Sequence, residues 1–156
     1  MKSIPVRYVF LTFAIFLLLT SFSCESTKKT VESASAISID QISISYSGMS
    51  GFVEHQINQN QMITSSKGRS ESAEDVKKPV SNENWNKLSE LVSRLDLSQF
   101  EQWESPTQER FHDGARATII TIETNGQIYT SQAFDEGKPP AELNELYKYL
   151  ETIVHS

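Results

Sequence analysis

Asn125-Gly126 lies between two runs of extended character, Ala115 to Glu123 and Gln127 to Ala133, and it narrows the fold more than any other feature of the chain. A two-residue hairpin loop of type I′ needs φ > 0 at both central positions, which Gly adopts freely and Asn tolerates better than most residues. The pattern predicts adjacent antiparallel strands with Ile122 opposite Tyr129 and Ile120 opposite Ser131. Further upstream, Ile42, Ile44 and Tyr46 alternate with Ser43 and Ser45, the period-2 signature of a half-buried strand. Gly48-Met49-Ser50-Gly51 then reads as a hairpin loop, Phe52 to Ile57 as its return strand, and Asn58-Gln59-Asn60 as a turn into a third strand over Gln61 to Ser66.

The helices announce themselves differently. Trp85, Leu88, Leu91, Val92 and Leu95 recur at spacings of three and four, behind Ser81 or Asn82 as N-cap and Glu83 in the first turn. Leu97, Phe100 and Trp103 continue as a helical turn over packed aromatics. Pro139-Pro140 opens a terminal helix whose inward face is Leu143, Leu146, Tyr147, Leu150, Ile153 and Val154. The order is ββ(β)-α-ββ-α. It predicts an α+β two-layer sandwich in which an antiparallel sheet of four to five strands carries two helices. Lys67 to Pro79 has only Ala73 and Val76 as apolar members, so residues 67–80 read as a disordered loop inside a single domain over 37–156.

The first 23 residues are of another kind. Lys2 and Arg7 precede Tyr8 to Thr20, 13 residues without a charge, as in the n-region and h-region of a secretory signal. That run is short of the roughly 20 apolar residues a membrane-spanning helix needs. Lys2 and Arg7 are the only charges in residues 1–23, so of the chain's 14 basic and 20 acidic residues, 12 and 20 remain, a formal charge of −8. An acidic domain lacks the basic footprint that nucleic acid or anionic headgroups require.

The single cysteine follows the apolar run directly, in Leu17-Leu18-Leu19-Thr20-Ser21-Phe22-Ser23-Cys24. One cysteine permits no intrachain disulfide, which leaves a free thiol, an intermolecular bridge or a modified residue. A basic n-region, an apolar h-region, a small residue and then cysteine resemble the lipobox of bacterial lipoproteins, over residues 1–24 only. Ser21 stands where that family favours Leu, and Ser21-x-Ser23 is also a small-x-small site that ordinary signal peptidase cuts. The resemblance implies cleavage before Cys24, diacylation of its thiol and acylation of its new amino group. It implies an exported protein, lipid-anchored to a membrane of the cell envelope. Residues 24–36, rich in Ser, Thr, Lys and Glu, then read as a flexible tether spanning on the order of 20 Å.

Chemistry-bearing motifs are few. His55, His112 and His155 are not at metal-ligand spacing from one another or from Cys24, so no metal site is expected. The chain has no Walker loop, dinucleotide fingerprint or EF-hand spacing, and neither nucleotide nor any other cofactor is expected. Glu109-Arg110-Phe111-His112-Asp113-Gly114 is the most suggestive stretch, and Arg110, His112 and Asp113 are the candidate ligand contacts. A His beside an Asp is no dyad without a nucleophile or a positioned water, and no serine stands in an activating motif. Asp96, Glu101, Glu104, Glu109 and Asp113 read as a solvated acidic face, and Trp85, Phe100, Trp103 and Phe111 as aromatics that close the core. The expectation is a non-enzymatic binding or accessory module with an envelope protein as partner. The competing readings are a small hydrolase using His112 and Asp113, and an inhibitor presenting the 67–80 loop.

Overall fold

A computed structural model describes residues 38–68, 74–112 and 114–156; Cys24 and Asp113 lie outside them, as do the signal sequence and tether readings. The strands are β1 (Ile39–Gly48), β2 (Gly51–Ile57), β3 (Gln61–Gly68), β4 (Glu74–Pro79), β5 (Ala117–Thr124), β6 (Gln127–Thr130) and β7 (Phe134–Asp135). The helices are α1 (Asn82–Ser93) and α2 (Asn144–Val154), with 3-10 turns at Leu97–Gln102, Glu109–Phe111 and Ala141–Leu143. All seven strands join one antiparallel sheet in the order β4-β3-β2-β1-β5-β6, with β7 continuing beside β5.

The expected two-layer sandwich with four to five strands is therefore corrected to a strand-rich domain built on one seven-stranded sheet with two helices. Two strands account for the difference. β4 falls in the stretch read as a loop, because its residues are polar and charged and give no apolar alternation. An edge strand needs none: β3 supplies its backbone partners, with Thr64 opposite Val76, and Ser65 donates to Asp75 at 2.6 Å. β7 is two residues long, too short to show a period, and exists because Thr118 and Ala117 lie opposite Phe134 and Asp135.

The hairpins form as the turn chemistry requires. Asn125 and Gly126 have φ of 51° and 73°, Ile122 faces Tyr129, and the Ser131 amide donates to the Ile120 carbonyl at 2.9 Å. Met49-Ser50 joins β1 to β2, with Gly48 opposite Gly51. Ser81 caps α1 by accepting from the Asn84 amide. One face of the sheet carries Ile42, Ile44, Tyr46, Ile57, Met62, Ile120, Ile122 and Phe134. These form a single core with the buried faces of α1 and α2 and with Phe100, whose ring lies 5.5 Å from that of Trp103.

A Cβ on Gly126 would touch nothing within 4 Å, so any cost of substitution there comes from its positive φ alone. Gly126→Val is expected to destabilise the domain by about 1 to 3 kcal/mol, and by more than Asn125→Ala. Chemical denaturation of both variants reads this directly; equal midpoints for Gly126→Val and wild type would contradict the turn geometry.

His55 is the one buried imidazole of this core face. Its Nδ1 lies 2.8 Å from Thr64 Oγ1, and its ring meets the edge of Tyr46 at 6.0 Å. Burial lowers its pKa, helped by His155, with Lys78 a smaller contribution in the same direction and Glu151 opposing. A lowered folded-state value means that the unfolded chain binds more protons, so this stabilisation is complete above the ordinary His pKa near 6.5 and is lost as the pH falls below it. Wild-type stability should drop between about pH 7.5 and 5.5 more steeply than that of His55→Gln. Parallel slopes for the two proteins would refute the assignment.

Candidate functional site

The site is built at the end of the sheet where β1 turns into β2. On the face opposite the core, one row runs across four strands as Phe52, Ser47, Ala117 and Asp135. Ser47 and Ala117 are small, so the middle of the row is a depression. Phe52, 40% exposed, rises on one side of it. On the other side stands the turn Glu109–Phe111, held there by Asp135.

Asp135 is almost fully buried, at 1% exposure, and its carboxylate accepts four hydrogen bonds. They come from the Thr107 hydroxyl at 2.6 Å, the Glu109 amide at 2.6 Å, the Arg110 amide at 3.0 Å and Arg110 Nη1 at 3.0 Å. Burial alone would raise its pKa; the donors from Thr107, Arg110 and Glu109 outweigh that and hold the carboxyl well below the usual carboxylate range. Arg110 Nη1 also reaches the Thr107 carbonyl at 3.1 Å and Ser105 Oγ at 3.3 Å. Lys138 pairs with Glu109 from the far side of the turn.

This knot places the sequence candidates unequally. The guanidinium of Arg110 is committed to Asp135 and lies over the Phe111 ring, 4.5 Å from its centroid, so it braces the site and has little left to offer an anion. His112 is exposed, and among the described residues its side chain has no hydrogen-bond partner. Phe111, expected to close the core, is 67% exposed, because Asp135 takes the backbone of the turn and turns its aromatic outward. Trp85 and Phe100 are buried as expected, and Trp103 is partly buried against the core.

Beside that turn, at the Ser47 and Ala117 end of the row, lies a groove of about 470 Å³. Its floor is Ala115, Ala117 and Ala133, its rims are Met49 and Phe111, and Ser47 and His112 supply its polar edge. Met49 is 75% exposed. With Arg110 neutralised, the groove presents mainly apolar surface beside one imidazole, which suits an uncharged or aliphatic group. The volume falls within the range of small-ligand and side-chain pockets, about 300 to 1,000 Å³.

The alanine floor, Met49 and Asp135 were not marked by sequence reasoning. Alanines carry no chemical signature, and Asp135, the second residue of β7, looks like any acid until the turn folds over it. Among the described residues no three His, Cys, Asp or Glu side chains gather as a metal ligand set, and no helix is long and apolar enough to cross a membrane. Comparison with known proteins finds no matching protein-family model and no curated protein similar to this chain.

Proposed function

We propose that the chain is a lipid-anchored module of the cell envelope that holds a protein partner through the groove between Met49 and Phe111. The observation that carries this reading is the pair of large apolar side chains exposed on either side of an alanine-floored depression. Isolated exposed apolar residues are ordinary, but two that rim one groove form a patch that water solvates poorly and a partner can cover. The chain leading from Cys24 joins the sheet at Ile39, and the groove lies at Gly48, the other end of a ten-residue strand. At about 3.3 Å per residue these points are roughly 30 Å apart. The hydrolase alternative rests on His112 with Asp113, and Asp113 lies outside the described residues.

The test is a photo-crosslinking side chain at Met49, and the same probe at Lys148 on the exposed face of α2, in living cells. The reading expects one protein adduct from position 49 and none from position 148, with the position-49 adduct lost when Phe111→Asp is added. Replacing His112 and Asp113 together with Ala should leave the adduct in place. Equal labelling from both positions would remove the groove from the proposal, and a folded His112/Asp113 double variant that lost all phenotype would favour the enzyme.

A further inference from the structure

We infer that the free edge of β6 is a strand-addition site for an extended segment of a partner protein that carries basic side chains on both of its faces among aliphatic ones. The site is remote from the groove and does not depend on it.

The backbone sets the site. Thr124 and Gln127 close a two-residue hairpin and so form a hydrogen-bonded pair, and the Ser131 amide bonded to the Ile120 carbonyl shows the same parity at the other end. Tyr129 therefore points its N–H and C=O toward β5, while Ile128 and Thr130 point theirs outward. Among the described residues no other element bonds those outward groups. The two edges of the sheet also differ in how they are guarded. β4 ends in Lys77-Lys78-Pro79, charges and a missing donor of the kind that discourages pairing. β6 is Gln127-Ile128-Tyr129-Thr130, uncharged and rich in strand-forming residues, with Ile128 64% exposed.

The surroundings set the occupant. A groove of about 430 Å³ runs along this edge, between β6 and the turn Leu97–Gln102, with Leu97 and Tyr129 in its wall. Side chains of an added strand would point alternately into that groove and over Ile128. Glu101 lines the groove, and Glu123, one strand further in, lies opposite Ile128 on the other face, so a carboxylate flanks each face of the edge. No Lys, Arg or His occurs in residues 96–109 or 117–132 to neutralise them. A second copy of this chain would bring the same acids against each other. A segment carrying Lys or Arg among aliphatic residues satisfies both the backbone and the charge.

The experiment uses the full chain in detergent, with an eight-residue synthetic Lys-Val peptide of the repeat Lys-Lys-Val-Val, which sets Lys on both faces of an extended strand, and a Glu-Val counterpart of the repeat Glu-Glu-Val-Val. The Lys-Val peptide should bind about ten-fold more tightly, because its charges attract Glu101 and Glu123 where those of the Glu-Val peptide are repelled, and should slow amide exchange at Ile128 and Thr130. Glu101→Gln with Glu123→Gln should erase the preference. Ile128→Pro removes an outward donor without touching the β5 ladder and should abolish binding. If that variant does not fold, Ile128→Lys should weaken the Lys-Val peptide by a similar factor while keeping both backbone groups. Equal affinity for the two peptides, unchanged exchange at both amides, or wild-type binding by folded Ile128→Pro would each overturn the inference. So would a dimer of the chain alone that protects the same amides, which would make the edge a self-association surface.

Discussion

Cys24→Ser is expected to release the protein from the membrane completely. Acylation of both the thiol and the new amino group would put several fatty chains into the bilayer, each buried methylene contributing about 0.8 kcal/mol, where a single chain holds only marginally. Wild-type protein should sediment with membranes, incorporate a fatty-acid analogue and resist extraction by high salt, which weakens only electrostatic attachment. The variant should lose the label. If its leader is still cut at Ser21-x-Ser23, it should be recovered as an exported soluble domain with an unchanged melting curve, since the core begins at Ile39. Wild-type protein recovered soluble and unlabelled, with a free Cys24 thiol, would end the lipoprotein reading and leave the groove to be judged as a feature of a secreted domain.

Asp135→Ala should dismantle the groove while leaving the sheet standing. Its carboxylate takes the hydroxyl proton of Thr107 and the amides of Glu109 and Arg110, and it neutralises the guanidinium of Arg110 in a nearly dry position. Without it, two backbone donors and a cation lose their partner at once, and the turn Glu109–Phe111 has no comparable hold on β7. Amide exchange at Glu109 and Arg110 should accelerate by about ten- to a hundred-fold, the scale of one hydrogen bond to a charged group. Exchange across β1 and β2 should not change, and crosslinking from Met49 should be lost. Asp135→Asn should be nearly as damaging, because its amide nitrogen is a donor facing donors. Because the folded carboxyl stays ionised well below the usual range, this support is present above about pH 4 and is lost only as the pH falls through the depressed value. Unchanged exchange at both amides would show that the turn is held by something else.

Much of the candidate site was written in places that local pattern does not reach. Arg110 and His112 were marked because charge and imidazole crowd one stretch. Their division into a bracing residue and an exposed one depends on Asp135, 25 positions away from Arg110. The outward turn of Phe111 follows from the same contact. An aromatic between Arg110 and His112 carries no mark of whether it will be buried, and the core was already filled by Phe100, Phe134 and the helix residues.

By itself the sequence determined the elements whose stabilising contacts are near neighbours. The Asn125-Gly126 hairpin, the β1–β2 hairpin with its turn, the capped helix α1 and the terminal helix α2 each rest on a backbone preference or a period that a few residues suffice to express. The third strand, Gln61 to Ser66, also follows from its turn at Asn58. What only the tertiary structure decided were the features that need a partner from elsewhere in the chain. The polar stretch Glu74–Pro79 becomes a strand because β3 offers an open edge, and the two residues of β7 become a strand because β5 does. Their hydrogen bonds are made by backbone groups that every residue possesses, so no side-chain pattern records them. The alanine floor, the exposed rims and the buried Asp135 likewise acquire their meaning only when strands distant in sequence are set side by side.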